Sequence, residues 1–576
     1  MNFKSSIIAC AVPLMAQLAP VESVAKTPDK KPNVVFILTD DQGYGDFSCM
    51  GNPYLKTPNM DQLKSDGVVF NNFHVSAVCA PTRASIMTGR YNYRTGVSGV
   101  NKSKVNMYAD EHTMAEYLKE AGYNTGLFGK WHLGYNYPMR AIDQGFDVAY
   151  MWDEMQFFRT DPVMEENGTN KTYKNRFLTD VIFEKAIDYV EEQATQNKPF
   201  FAYVATFLPH THHDGSQVPE EYMRRFDKYD ELSWHTRQSY AMIEKVDEQL
   251  GLLMKTIKEL GMEDNTIFIF ATDNGPASCY PGQNRDCQIR YRCGLRGMKG
   301  SPYEGGIKVP LFVKWKGHFD GNLEVDKFTA HVDLLPTVMD ILDVPLKKDK
   351  VMDGRSLLPF IEKQEVAWEN SYFYHLHMED MNIRKNMWKK GTMVSGDYKI
   401  VEGKELFNIT KDPFELNNLA KEMPQKLLQM RDEYKARLEE YLSERKGVRQ
   451  PNILGSQKQP LVNMFYFEIV PEKKGWPVDV QKSGPYKLSI YDIQHDDIKE
   501  GAKFVLKAKD QEWKIDIDKN KKELFLTDIN LPKGEYFLQL YIEGDRFPKK
   551  FKTWTPKQGR YHRLEYGHRR VTMELQ

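Results

Sequence analysis

The sequence predicts an α/β protein: a mostly parallel sheet sandwiched by helices, with a smaller C-terminal β domain. Three observations predict it. From Pro32 onward, short apolar runs rich in β-branched and aromatic residues recur, each run leads into a polar or glycine-rich loop, and stretches of helical periodicity lie between them. Alternation of this kind builds a sheet covered by helices on both faces, and ligands of such sheets bind beyond the carboxyl ends of the strands. The loops that follow the strands are therefore where chemistry is expected.

The expected strands are residues 34–38, 125–128, 200–207, 266–270 and 309–313. Residues 113–121, 180–192 and 238–260 carry the apolar spacing of amphipathic helices, and a helix over 332–342 and a charged helix over 424–445 close this body. Past Gly447 the pattern changes to short alternating runs at 464–470, 486–491, 504–507 and 536–542, separated by turn-forming Gly, Pro and Asp. This tail reads as a small antiparallel β domain, a sandwich packed on the larger body. The expected organisation is a signal peptide over 1–25, a catalytic domain over 26–450 and an accessory β domain over 451–576.

Composition excludes several classes. The 576 residues hold 79 Lys+Arg against 80 Asp+Glu, and 41% are hydrophobic. Ample apolar content with almost no net charge excludes a basic nucleic-acid coat and a disordered chain, so no nucleic-acid partner is expected and a charged ligand must be held by local clusters. Six Cys in this length are too few for a disulfide scaffold.

The first residues carry Lys4, then an apolar stretch broken by Pro13, then small residues at Ser23 and Ala25. That order is a secretory signal peptide, with cleavage expected near Ala25 and a secreted or periplasmic destination. Cys10 also fits a lipoprotein cleavage site loosely, after a very short apolar segment. No later stretch reaches the roughly 18 to 20 apolar residues needed to span a bilayer. The sequons at Asn101, Asn167, Asn170 and Asn408 match by chance as readily as by signal.

Five strand-end loops concentrate functional side chains. Residues 34–38 end in Thr39-Asp40-Asp41-Gln42-Gly43, and 266–270 end in Ala271-Thr272-Asp273-Asn274-Gly275. Two strands that each deliver a pair of oxygen ligands to one edge would build an anionic, all-oxygen site for Ca²⁺ or Mg²⁺, although either pair alone is equally a helix cap. In Cys79-Ala80-Pro81-Thr82-Arg83, Pro81 suits a first helical turn and places Cys79 at a helix N-terminus. By itself such a Cys is a low-pKa thiolate or a small buried hydrophobe. Gly129-Lys130-Trp131-His132-Leu133-Gly134 places Lys130 and His132 on one side of an extended segment. Residues 200–207 run into His210-Thr211-His212-His213, and Lys299 precedes Glu304-Gly305-Gly306.

Together these motifs resemble a type I, formylglycine-dependent sulfatase of the alkaline-phosphatase superfamily. Cys79-x-Pro81-x-Arg83 with Ala84-Ser85 and Thr88-Gly89-Arg90 resembles the family's maturation signature, and residues 129–134 resemble its second signature. The resemblance implies an alkaline-phosphatase-like fold and sulfate-ester hydrolysis. It implies that a formylglycine-generating enzyme oxidises Cys79 to an aldehyde whose hydrate is the nucleophile. It also implies that Asp40, Asp41, Asp273 and Asn274 hold Ca²⁺ or Mg²⁺. Arg83, Lys130 and Lys299 would hold the modified residue and the sulfate. His132 would be the base that releases sulfate, and His210 the acid facing the leaving oxygen. Lys308 stands where the family often has Arg, and His210-Thr211-His212-His213 replaces the common His-x-Pro. Counting from Phe200 favours His210 over His212 as the acid, leaving His212 and His213 as candidate substrate contacts.

The loop over 277–297 adds Arg285, Arg290, Arg292 and Arg296 with Cys279, Cys287 and Cys293. Arginine forks there suggest an acidic or multiply sulfated substrate, and export makes a disulfide among these cysteines expected, with Cys49 a possible fourth member. The leading expectation is exo-acting removal of O-sulfate from a sugar of a sulfated glycan. The alternatives are a phosphomonoester or phosphonate hydrolase of the same superfamily, or an inactive glycan-binding relative.

Overall fold

The computed structural model describes residues 30–100, 105–152, 161–210, 218–277, 290–368, 370–375, 383–444, 451–464, 475–490, 501–518, 521, 523–542 and 571–576. Strand β1 (Asn33–Thr39) is buried at every position. A strand with no exposed face must lie inside a sheet covered on both sides. It does: Val34, Phe36 and Leu38 join one apolar cluster, and Val35 and Ile37 join another.

The central sheet has eleven strands: β1, β2 (Val68–His74), β3 (Asn124–Gly129), β4 (Val148–Trp152), β5 (Val163–Glu166), β6 (Thr169–Thr172), β7 (Phe200–Ala205), β8 (Thr266–Thr272), β9 (Lys308–Trp315), β10 (Leu323–Val325) and β11 (Thr329–Ala330). Their order is β10-β2-β9-β8-β1-β7-β3-β4-β5-β6, with β11 also on β2. The strands β8, β1, β7, β3 and β4 run parallel, whereas β9 is antiparallel to both β8 and β2. The mostly parallel sheet sandwiched by helices is therefore present. One face is covered by the helices Met114–Glu120 and Leu334–Ile341, the other by Leu178–Gln196 and Trp234–Glu259. Each fully buried Leu, Ile or Phe in these layers contributes about 1.5–3 kcal/mol.

A separate four-stranded antiparallel sheet, residues 371–408, follows, and the helix Pro424–Glu444 packs on it. The sequence reading had no strands here. Beyond it lie a five-stranded and a four-stranded sheet whose buried residues, among them Trp476, Val478, Tyr486 and Leu488, share one core. Two sheets around one core make the anticipated sandwich, but the pairing is not wholly antiparallel, because Asn452–Leu454 runs parallel to Trp476–Val480. Met464 follows the strand Leu461–Asn463 rather than starting one, and the rest of the expected 464–470 run lies outside the described residues. The sandwich meets the larger body through Asn136 Nδ2 donating to Asn452 Oδ1 at 2.6 Å and Tyr137 N donating to Gln459 Oε1 at 2.6 Å. Among the described residues no helix is long and apolar enough to cross a membrane. The expected signal peptide lies outside the described residues.

Candidate active site

Parallel pairing sets the register of the site. Thr39 of β1 lies opposite Thr272 of β8, so the two following loops place Asp40 and Asp41 beside Asp273 and Asn274. The backbone locks them: Asp273 N donates to Thr39 O at 3.1 Å, and Asp41 N donates to Asp273 Oδ1 at 3.3 Å. Asp41 has φ +66°, a left-handed turn that Asp tolerates better than most residues. Gly275 allows a close backbone approach, since a Cβ there would stand 2.0 Å from Gly305 O.

Cys79 is the first residue of the helix Cys79–Thr88, preceded by the extended Val78, and all ten helical residues are buried. Its Sγ lies 3.5 Å from Asp40 Oδ1 and 3.4 Å from Lys299 Nζ. Burial and neighbouring Asp40 push the thiol well above its ordinary pKa, against the opposing pull of Lys130 and Lys299. Burial at this position thus favours the thiol over the thiolate for the unmodified side chain.

Arg83, one turn later, is completely buried. Its Nε and Nη2 donate to Asp273 Oδ2 at 3.1 and 2.7 Å, and Nη1 donates to Lys130 O at 3.0 Å. Lys130 follows β3 and donates from Nζ to Asp40 Oδ2 at 2.7 Å. Lys299 Nζ donates to Asp41 Oδ1 as well as lying against Cys79. Its backbone is strapped in place by Lys299 N donating to Pro276 O at 2.9 Å and Gly300 N donating to Ala77 O at 2.8 Å.

The two histidines differ in setting. His132 is buried with φ +59°, so the segment after Lys130 is not uniformly extended as the sequence suggests. Its Nε2 lies 3.3 Å from Val100 O. Burial, with the nearby Lys130 and Arg83, holds it well below the usual imidazole pKa and hence neutral. His210 follows β7, its side chain about 24% exposed, with Nε2 3.8 Å from Asp41 Oδ2. His212, His213, Arg285, Cys279 and Cys287 lie outside the described residues.

Three carboxylates (Asp40, Asp41, Asp273) face three cations (Arg83, Lys130, Lys299), and the charges balance when all three carboxylates are ionised. Burial and the neighbouring Asp40 push Asp273 up to about 7, and burial raises Asp41 as well. For Asp40, burial is outweighed by Lys130, His210, Lys299 and Arg83, which hold it well below the usual range. Asp41 Oδ2 and Asn274 Oδ1 are buried without a hydrogen-bond partner. Donor atoms of Asp40, Asp41, Cys79 and His210 lie within 4.8 Å of one another. Two orphaned oxygen acceptors among crowded carboxylates fit a hard divalent cation, and Asp273 and Asn274 belong to the same cluster by their hydrogen bonds.

Two parts of the site escape sequence reasoning. Arg290, grouped by sequence with possible substrate contacts, is 3% exposed and paired with Asp46 at 2.6 Å, and it also donates to Asp41 O at 3.2 Å. It braces the Asp40–Asp46 turn from within. Behind Lys299, Glu304 pairs with His74 at 2.8 Å and with Lys399 at 2.8 Å, and Lys399 pairs with Glu415 at 2.7 Å, all buried. Lys399 comes from the four-stranded sheet that the sequence did not reveal. Lys308, the family departure, is outside the catalytic cluster and lies over the Tyr44 ring. Cys49 and Cys293 are free thiols, so the expected disulfide is not found among the described residues.

Comparison with known proteins agrees with this geometry. A family described as Sulfatase matches residues 32–344, and one described as N-sulphoglucosamine sulphohydrolase, C-terminal, matches residues 299–444. N-acetylgalactosamine-6-sulfatase of Mus musculus is 28% identical over 390 residues, 63% of this chain and 72% of that protein. Arylsulfatase A of Homo sapiens is 29% identical over 376 residues, 60% of this chain and 71% of that protein. Among solved structures, Ps i-CgsB in complex with a neocarrahexaose superposes with a TM-score of 0.63 at 24% identity, covering 73% of this chain and 94% of that one. The phosphonate monoester hydrolase of Agrobacterium radiobacter gives 0.53 at 22%, covering 73% and 96%, a likeness of fold alone.

Proposed function

The chain belongs to the sulfatase family, and from that premise we propose that this sulfuric ester hydrolase removes O-sulfate from a terminal sugar of a sulfated glycan, using a formylglycine made from Cys79. The observation that carries the reading is the setting of Cys79. It opens a fully buried helix and stands within the ion cluster, between Lys299 and Asp40. Relatives named for sulfated sugars support the substrate class.

A bound divalent cation would supply Lewis-acid stabilisation of charge on the sulfuryl group, and a formylglycine at position 79 would, as its hydrate, supply a nucleophilic hydroxyl and a second hydroxyl for release. Asp40, Asp41, Asp273 and Asn274 would hold the cation, for which the all-oxygen set suits Ca²⁺ or Mg²⁺. The chain's own residues do the rest. Lys130 and Lys299, already aimed by Asp40 and Asp41, meet the sulfuryl oxygens, and Arg83 fixes the Asp273 carboxylate. A neutral His132 is competent to accept a proton, which a charged imidazole is not. His210, at the open side of the cluster, is placed to protonate the departing sugar oxygen. His212 and His213, two and three positions further along the chain, are proposed as contacts to the same sugar.

An exported protein with residues 1–25 removed, matured by a formylglycine-generating enzyme, fits the sequence. N-terminal sequencing of secreted protein checks the cleavage, and retention of Cys10 as a lipidated terminus would contradict it. Residues 451–576 are read as an accessory domain, and an active, folded protein truncated at 450 would agree. Addition of Ca²⁺ or Mg²⁺ to EDTA-treated protein should raise its melting temperature, and no response to either argues against the cation. The activity is tested by sulfate release from positional isomers of sulfated hexosamines, galactose and uronic acids, with an aryl phosphate and an aryl sulfate as a pair. Release from a sugar sulfate supports the reading. Faster turnover of the phosphate would turn it toward a phosphoesterase.

A further inference from the structure

The cations around the Lys299 turn fall into two groups. Arg290, Lys399 and Arg296 are neutralised: Arg290 by Asp46, Lys399 by Glu304 and Glu415, and Arg296 by Glu405 at 3.6 Å while stacked 3.8 Å from the Tyr303 ring. Arg292 and Lys390 are different. Arg292 has one hydrogen bond, from Nη1 to Gly297 O at 3.4 Å, and neither it nor the Lys390 ammonium forms an ion pair among the described residues. Both are half-exposed.

Their places are fixed by close backbone packing. A Cβ on Gly45, four residues beyond Asp41, would stand 2.9 Å from Arg292 Cα, so Arg292 rises from the wall of the Asp40–Asp46 turn. A Cβ on Gly300 would stand 3.8 Å from Lys390 Nζ. Gly300 is the neighbour of Lys299 and is tied to Ala77 O, two residues before Cys79. The two head groups therefore lie against opposite ends of the Gly297–Gly300 turn, whose Lys299 reaches Cys79.

We propose that Arg292 and Lys390 form a second anion subsite at the rim, which takes a further anionic substituent of the substrate whose scissile sulfate is held at Lys299. This rests on the sulfate-ester reading above. The inner cluster meets the scissile group with Lys130, Lys299 and a cation, while Arg83 holds Asp273, so two rim cations that form no ion pair among the described residues are surplus to it. A planar guanidinium and an ammonium flanking one turn suit a tetrahedral sulfate or a planar carboxylate.

The test uses full-length, matured enzyme and three substrates: a monosulfated hexosamine at the position cleaved best, the same sugar with a second sulfate, and the monosulfated sugar linked to a uronic acid. For each protein the readout is the ratio of kcat/KM for a doubly anionic substrate to that for the singly sulfated one, so any loss of folded or matured enzyme cancels. Wild type should favour at least one doubly anionic substrate, with a preference that weakens at higher ionic strength. Arg292→Gln and Lys390→Gln should each lower that ratio about five- to tenfold. Preference in the sulfate arm alone or the carboxylate arm alone supports the subsite and identifies its ligand. A wild-type ratio of one or less, or a ratio that survives in the double variant, overturns it while leaving the sulfatase reading intact. No sulfate release from any substrate or from an aryl sulfate overturns the underlying reading instead.

Discussion

Lys299 Nζ stands 3.4 Å from Cys79 Sγ while donating to Asp41, so a single ammonium bridges the helix-opening Cys79 and the turn that offers an orphaned carboxylate oxygen. Its backbone is strapped by its own N–H to Pro276 O and by that of Gly300 to Ala77 O, and its ammonium is aimed by Asp41. A cation so held is preorganised for charge that develops on a transferring sulfuryl group.

Lys299→Met should therefore lower kcat for sulfate-ester hydrolysis by about two to three orders of magnitude. The check is steady-state kinetics on protein with measured formylglycine content. Near-normal kcat in fully matured variant would remove Lys299 from the reacting centre.

His210→Gln should discriminate between leaving groups. A sugar alkoxide needs a proton as it departs, whereas an activated aryl oxide does not, so turnover of a sugar sulfate should fall by about 10²–10⁴ and that of an activated aryl sulfate far less. Equal losses on both substrates would deny His210 the role of acid.

Buried neutral histidine makes stability fall toward acid. His331 lies 3.1 Å from Ser76 Oγ, and burial, aided by His74, pushes its pKa down to about 3. The unfolded chain binds this proton below about pH 6.5 and the folded protein does not, so the stabilising effect is complete above pH 6.5 and is lost as pH falls toward 3. Between pH 7.5 and 5.5, urea unfolding of wild type should lose about 1 kcal/mol more than His331→Gln. Identical pH slopes would contradict the assignment.

Lys399→Met should destabilise the fold by about 3 to 5 kcal/mol, because it takes from the buried Glu304 and Glu415 the cation they share, leaving Glu304 with His74 alone. Lys64→Met, which breaks a pair with the exposed Glu324, should cost under about 1 kcal/mol. Denaturant midpoints compare the two, and similar losses would mean that burial does not set the strength of the Lys399 network.

Strands buried on both faces were legible because a continuous β-branched and aromatic run has few other uses: β1, β3, β7, β8 and β9 all lie at the expected places. The helix expected over 113–121 is Met114–Glu120 with Thr113 as its cap, so local capping chemistry also shows. β2 did not, because Asn71 and Asn72 interrupt its apolar pattern where the register with β9 shifts. The four-stranded sheet was missed for a related reason, being built of strands of four and five residues whose hydrogen-bonded neighbours, not their own periodicity, define them. In the site, motif residues could be named from sequence, but pairing could not. Arg290 looked like a substrate contact until its burial against Asp46 was visible, and Lys399 reaches Glu304 across 95 residues of chain.

The most direct measurement is mass spectrometry of the peptide containing Cys79 from active, natively expressed enzyme, together with its sulfate-ester turnover. The account predicts an aldehyde oxygen in place of the sulfur, with activity proportional to the converted fraction and absent in Cys79→Ala. Fully active protein that retains the thiol would contradict it.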